Sequence, residues 1–220
     1  MHLKRQKVPK NWPIYRKGTK YVVRGNCSLE KGVPLLIILR DMLKIVQNRK
    51  EAKKAIHEKY ILLNNKITKD EKNSALLFDT LTIIPSKKYY RIGFSNNGKF
   101  EVKEIKENET NYKIAKVVDK KILRGKKIQL NLSDGRNFLS DIKCKINDSV
   151  LINFKDKKID KCLPFKEKAK VIIFSGKHSG KIGIINKIKT ERKMAELSIK
   201  KDSKEKEVID VLIKQLMIIE

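Results

Sequence analysis

The first 29 residues of this chain contain no acidic side chain, and that limits how they can fold. Eight fixed positive charges (Lys4, Arg5, Lys7, Lys10, Arg16, Lys17, Lys20 and Arg24) precede the first carboxylate, Glu30. A segment that repels itself in this way is not expected to be a self-sufficient folding unit. Trp12, Tyr15 and Tyr21 stand among the cations. Bases can stack on aromatic faces while cations neutralise phosphates. We read the segment as an arm that lies on RNA, mobile in the free protein and ordered on binding, because like charges without a core cannot offset ordering entropy. The plainer alternative is a solvated basic tail.

The whole chain has the same bias. It carries 53 Lys and Arg against 25 Asp and Glu, a formal net charge of +28. Such an excess works against compaction unless a polyanion relieves it. A membrane surface is the other large anion. However, the longest strongly apolar run, Val33 to Leu39, is interrupted by Pro34 and ends at Arg40, far short of the roughly 20 residues of a spanning helix. The amino terminus does not read as a signal peptide, so a cytoplasmic protein is expected. Cys27, Cys144 and Cys162 form no CxxC pair and lie near none of His2, His57 and His178 in sequence. No metal site and no cofactor are expected.

Hydrophobic spacing divides the rest of the chain. Pro34 suits a first helical turn, and Leu35, Leu39, Met42, Leu43 and Val46 recur at helical spacing. Asn48 breaks the pattern, and Arg49 to Lys59 reads as a second helix. Ala52, Ala55 and Ile56 lie on one side of it and Lys50, Lys53, Lys54 and His57 on the other. A cation at a helix start, as at Arg49, opposes the macrodipole unless an anion sits there. Lys50, Lys53 and Lys54 are expected to face RNA, with a plain solvated face as the alternative. Ile61 to Leu63, a tight turn at Asn64-Asn65, Lys66-Ile67 and Leu81 to Ile84 then read as strands.

From Tyr89 onward short β runs alternate with turn signals. The runs are Tyr89 to Phe94, Phe100 to Ile105, Tyr112 to Ile122, Ile128 to Leu132 and Val150 to Phe154. After a seam near Pro164 come Ala169 to Phe174, Lys181 to Ile188, Ala195 to Ile199, Val208 to Ile213 and Leu216 to Ile219. This is the pattern of small barrels or sandwiches.

Two motifs resemble known families. Arg49-Lys-Glu-Ala52-Lys-Lys-Ala-Ile56 followed by Ile61-Leu-Leu-Asn64-Asn65-Lys66 resembles the S4-like RNA-binding domain. In that family the second helix and the following loop rest on RNA. Lys59 and Asn65 stand where its pattern has glycine. Val171-Ile-Ile-Phe-Ser-Gly176-Lys-His-Ser-Gly180-Lys181-Ile-Gly183-Ile-Ile resembles a KOW motif. Its glycines allow sharp turning and close approach to another molecule, and of the two, close approach is our preferred role for Gly180. Lys177, His178 and Lys181 supply donors at the loop.

The order of parts resembles the eS-four family of archaeal and eukaryotic small-subunit ribosomal proteins, over nearly the whole chain and in its archaeal version. His2-Leu-Lys-Arg5 and Pro9-Lys-Asn-Trp12-Pro13-Ile14 resemble that family's opening, and Val33 to Asp41 its first helix. Ile128-Gln-Leu-Asn-Leu-Ser-Asp134-Gly135-Arg136-Asn137 and Ile146-Asn-Asp148-Ser-Val150 resemble its central signatures. Ser203-Lys-Glu-Lys-Glu207 departs from a more glycine- and asparagine-rich turn.

The resemblance implies an α+β protein. A basic arm (1–32) precedes an S4-like αβ unit (33–86), a barrel-like central β domain (87–166) and a KOW-containing, SH3-like β-barrel (167–220). It implies a structural constituent of the small ribosomal subunit, acting in translation. The partners implied are small-subunit ribosomal RNA and neighbouring ribosomal proteins, with no membrane and no homo-oligomer. The expected RNA-binding residues are Lys4, Arg5, Lys7, Lys10, Trp12, Arg16, Lys17, Arg49, Lys50, Lys53, Lys54, Lys66, Arg136, Lys177, His178 and Lys181.

Other classes stay open at this point. An S4-like unit also precedes the catalytic domain of some pseudouridine synthases, and a ribosome-associated factor would use the same modules. Asp134-Gly135-Arg136 is the one tempting acidic motif, and Asp-Gly is more often a β-turn. We expect no enzyme.

Overall fold

The computed structural model describes residues 2–140, 142–200 and 206–219. They are mostly β-sheet with few helices and divide into two compact units: residues 1–95 with 99–111, and residues 112–220 with 96–98. The Ser203 turn lies outside the described residues.

The first unit begins with a short ladder, β1 (Leu3–Lys4) against β2 (Tyr21–Val22), in which Leu3 faces Val22. β3 (Gly32–Pro34) follows, then α1 (Leu35–Ile37), which continues as a π turn over Ile38–Met42. Every residue from Val33 to Leu39 is buried. A helix that is apolar all round belongs inside a core, and this one is central.

Two details differ from the sequence expectation. Pro34 is extended (φ −60°, ψ 143°) and precedes the helix instead of sitting in its first turn. The helix also stops at Met42, short of Leu43 and Val46. The Leu43 amide reaches back to the Ile38 carbonyl (2.9 Å) and Lys44 turns to φ +54°.

α2 (Arg49–His57) has Asn48 as its N-cap, and Glu51 turns back to accept the amides of Gln47 (2.7 Å) and Asn48 (3.4 Å). Those hydrogen bonds, Gln47 first, hold the Glu51 carboxyl below its usual range. At the other end Lys59 adopts φ +62°. Its amide bonds the Ile56 carbonyl, and the Tyr60 amide bonds that of Ala55. This is the Schellman ending that glycine ordinarily provides.

β4 (Ile61–Leu63) and β5 (Lys66–Ile67) are joined by Asn64 and Asn65, both with positive φ, which gives a two-residue hairpin with Leu63 opposite Lys66. Asn64 is buried. Its amide donates to Asp79 (2.9 Å) and accepts from the Thr80 amide (3.0 Å). β6 (Ser74–Leu76) pairs with β3. β7 (Thr80–Ile83), β8 (Lys88–Phe94) and β9 (Phe100–Glu104) complete an antiparallel sheet of order β5-β4-β7-β8-β9.

The expected boundary at residues 86/87 falls between two paired strands of one sheet, β7 and β8. The β8–β9 hairpin extends the first unit's sheet, with Thr82 opposite Tyr89. Its Tyr90, Ile92, Phe94 and Phe100 are buried there. An apolar hairpin face must be covered, and the neighbouring strand offers the place.

The second unit contains two antiparallel five-stranded sheets. β10 (Tyr112–Ile122), β11 (Ile128–Leu132), β12 (Asn137–Leu139), β13 (Ser149–Asn153) and β14 (Lys158–Leu163) form one, in the order β12-β11-β10-β13-β14. Ala115, Val117, Leu130, Val150 and Ile152 alternate into its core. β15 (Lys170–Ile173), β16 (Ile182–Lys189), β17 (Met194–Lys200), β18 (Lys206–Leu212) and β19 (Leu216–Ile218) form the other, in the order β18-β17-β16-β15-β19. Val171, Ile173, Ile185, Leu197 and Leu216 fill it. The Ser149 hydroxyl accepts the Ile218 amide (2.9 Å), and the Lys116 ammonium donates to the Ile213 carbonyl (2.5 Å), so the two sheets are tied by polar bonds.

Candidate nucleic-acid interface

Exposure and pairing divide the expected RNA-binding residues into two classes. In the arm, Lys4, Lys7, Lys10, Arg16 and Lys17 are exposed, and among the described residues none of them is in an ion pair. Two arm residues of the expected set are engaged within the fold. Trp12 is only 2% exposed, and its indole N–H donates to the Leu29 carbonyl (2.9 Å). A ring buried in this way is a core element that no base can reach. Arg5 is turned inward along the arm itself. Its guanidinium donates to the carbonyls of Tyr15 (2.7 Å) and Thr19 (2.8 Å) and to the Thr19 hydroxyl (3.0 Å).

The arm is thus a folded element of the first unit. The Asn11 carbonyl accepts the Phe100 amide (2.9 Å), and the Asn11 side chain donates to the Glu30 carbonyl (3.0 Å). The expectation of an arm without a core is corrected by Leu3 and Trp12, both buried. Tyr15 is left to solvent, and Tyr21 is half exposed beside the His2 ring (5.3 Å between centroids) and the Lys20 ammonium; the expected set omitted both.

On α2 the apolar face (Ala52, Ile56) is buried, and Lys50, Lys53 and Lys54 point outward. Arg49 is engaged in part within the protein, with its side chain still 54% exposed. The buried Glu71 carboxylate accepts its Nε at 3.0 Å and lies near Lys53 at 3.9 Å. The anion that a cationic helix start calls for is supplied by the protein itself. Lys54 lies 3.9 Å from Glu58, and Lys50 makes no ion pair among the described residues. Both contacts are long and both ammonium groups are exposed, so Lys53 and Lys54 stay available to a stronger anion. Lys66 is exposed in β5, beside the Asn64-Asn65 turn.

The second unit behaves differently. Asp134, Gly135 and Arg136 form the turn between β11 and β12, with Gly135 at φ +83°. Asp134 is buried against Lys113, which is only 2% exposed, at 2.8 Å. Burial by itself would push the Asp134 carboxyl up. The adjacent Lys113 ammonium, its hydrogen bond, the Arg136 amide and the Arg136 charge outweigh that and hold it below its usual value. The Arg136 guanidinium lies 3.6 Å from Asp134 and 4.8 Å from the centre of the Phe154 ring. Arg136 is thus engaged within the fold, as a hairpin clasp.

In the glycine-rich loop between β15 and β16, Gly176 (φ +95°) and Gly180 (φ +89°) need the left-handed region. A Cβ on Gly176 would meet the Gln215 side chain at 2.9 Å, and one on Gly183 the Ser198 carbonyl at 2.9 Å. At those two glycines the close approach comes from the chain's own neighbouring segments. Lys181 pairs with Glu207 at 3.3 Å, His178 is half-buried, and Lys177 is exposed.

Among the described residues no cluster of three or more His, Cys, Asp or Glu side chains forms a metal site, and no helix is long and apolar enough to cross a membrane.

Comparison with known proteins adds independent findings. A family model described as Ribosomal family S4e matches residues 86–159, and the RS4NT (NUC023) domain model matches residues 1–27. The small ribosomal subunit protein eS4 of Methanocella arvoryzae is 39% identical over 197 residues, covering 88% of this chain and 83% of that protein. Its counterpart in Archaeoglobus fulgidus is 34% identical over 213 residues, covering 96% and 90%. The crystal structure of the 30S ribosomal protein S4e from Thermoplasma acidophilum superposes with a TM-score of 0.71 at 25% identity, covering 86% of this chain and 95% of that one.

Proposed function

The chain belongs to the ribosomal S4e family, and from that membership we propose that it works as a structural protein of the small ribosomal subunit, holding ribosomal RNA through its first unit. The carrying observation is the identity to eS4 proteins along nearly their whole length. A net charge of +28, carried largely on exposed lysines, supplies the physical reason. Its relatives are named as ribosomal proteins, not enzymes. The Asp134 motif, clasped by Lys113 and Arg136, fits a structural ion pair.

The mechanism is thermodynamic. Lysines and arginines displace counterions from phosphates, and the folded units fix the shape of the RNA that packs on them. We assign α2, the β4–β5 hairpin and their sheet to an S4-like RNA-binding unit. The two sheets of the second unit are read as a barrel-like central domain and a KOW-containing, SH3-like domain. Lys4, Lys7, Lys10, Arg16, Lys17, Lys50, Lys53, Lys54 and Lys66 are the proposed phosphate contacts, with Lys177 and His178 a lesser site. Neighbouring ribosomal proteins are the other partners this role implies.

Co-sedimentation tests the reading. The protein should stay with small subunits through a high-salt wash. Release under that wash would identify a loosely bound factor instead.

A further inference from the structure

Tyr15 is 84% exposed, the most exposed of the large apolar side chains among the described residues. The loop that carries it is held with unusual care for a surface loop. Arg5 spends three guanidinium hydrogen bonds on the Tyr15 and Thr19 carbonyls and the Thr19 hydroxyl, and its own amide donates to the Lys20 carbonyl (3.0 Å). The Thr19 hydroxyl in turn donates to the Tyr21 carbonyl (3.0 Å), and the β1–β2 ladder closes the base of the loop. Gly18 adopts φ +143°, and a Cβ there would lie 2.9 Å from Arg5 Nη2. The guanidinium and the loop backbone are therefore fitted to each other.

A flat ring left in water gains nothing for folding, yet the backbone beneath it is fixed from two sides. Preorganising a loop removes part of the entropy cost of binding. Arg16 and Lys17, the next two residues, are also exposed. No carboxylate stands within the first 29 residues to repel an anion.

We propose that the loop of residues 15–19 is a preformed finger for an unpaired nucleotide, with Tyr15 stacking on the base, Arg16 and Lys17 holding the flanking phosphates, and Arg5 as the positioning residue. The inference rests on the reading of the chain as a ribosomal RNA binder and assigns one subsite within it. A single-stranded or extruded nucleotide is the fitting ligand, because a base within a duplex offers no free face.

The test compares the full chain with Tyr15→Ala and Tyr15→Phe on protein-free small-subunit ribosomal RNA, following Kd against salt and base reactivity nucleotide by nucleotide. Tyr15→Ala should weaken binding roughly 5- to 150-fold, the range for loss of one stacked base. The salt slope should not change, because no charge is lost, and one or two bases should become newly reactive. Tyr15→Phe should bind like the parent, and both variants should unfold like it. In an Arg5→Lys background, which removes the fork, the effect of Tyr15→Ala should shrink to less than threefold; full additivity would remove Arg5 from the site. Parental affinity with an unchanged reactivity pattern for Tyr15→Ala would overturn the proposal, as would loss of folding in that variant. Failure of the parent chain itself to bind the RNA would instead overturn the underlying reading.

Discussion

The basic arm and the glycine-rich loop of the second unit look alike as sequences, since both mix cations with residues suited to RNA. They use those residues in different ways. The arm buries its Trp12 and folds Arg5 back on its own backbone, and that leaves Lys4, Lys7, Lys10, Arg16 and Lys17 free at the surface. The loop spends Gly176 and Gly180 on positive φ, Gly183 on passage beside Ser198, and Lys181 on Glu207. The same residue types are thus outward-facing in one region and self-satisfying in the other. Net charge alone does not reveal which cations are available; pairing within the fold does.

The arm's attachment to the first unit depends most on Trp12. Trp12→Ala should cost the first unit about 3–5 kcal/mol, the usual price of emptying a buried aromatic site. Hydrogen exchange in β1 and α2 of the full chain would report it. Unchanged protection there would mean that the arm is not part of the core.

A buried cation sharpens the contrast in the second unit. Burial depresses the Lys116 pKa to about 8. Its unfolded value is about 10.4, so between those pH values the unfolded chain binds the extra proton and stability rises with pH. The gain is on the order of 1–3 kcal/mol, smaller than burial alone implies because the Ile213 carbonyl favours the ammonium. Lys116→Met should abolish this rise relative to the parent. An identical pH profile in the variant would show that Lys116 is not the group.

At the loop, Gly180→Ala should destabilise the second unit by about 1–2 kcal/mol, because φ +89° disfavours a Cβ. RNA binding should fall only as far as unfolding explains. Normal stability with poor incorporation into subunits would restore a role in contacting a partner. The smallest effect is a gain. Lys59→Gly should raise first-unit stability by up to about 1 kcal/mol, since the Schellman position already sits at φ +62°. A drop in denaturation midpoint would contradict that geometry.

The local chemistry of the fold was legible in the chain. Asn64-Asn65 announces a tight hairpin, Asp134-Gly135 a turn, and the alternation in Tyr112 to Ile122 a strand. What escaped depends on partners far away in sequence. β3 and β6 are three residues each, too short to carry a period. The placement of β8 and β9 is decided by β7, not by their own pattern. The burial of Trp12 was not legible, because a lone aromatic among lysines has the same sequence signature whether it is exposed or buried. The partners of Arg49 and Arg136 within the fold were not visible, because Glu71, 22 residues on, and Phe154 are silent in the local pattern. Tyr15 and Tyr21 were visible as aromatics, but only burial separates them from Trp12.

Salt-dependent binding measures whether RNA contact resides mainly in the first unit's free cations. The chain with Lys4, Lys7, Lys10, Arg16 and Lys17 all changed to alanine should be compared with one in which Lys177 and Lys181 are changed, each titrated on protein-free small-subunit ribosomal RNA across a range of salt. Each phosphate contact contributes roughly 0.7–0.9 to the slope of log K against log salt, so the arm variant should lose about 3.5–4.5 units and the loop variant about 1 or less. Equal losses, or a larger loss from the loop variant, would contradict the claim.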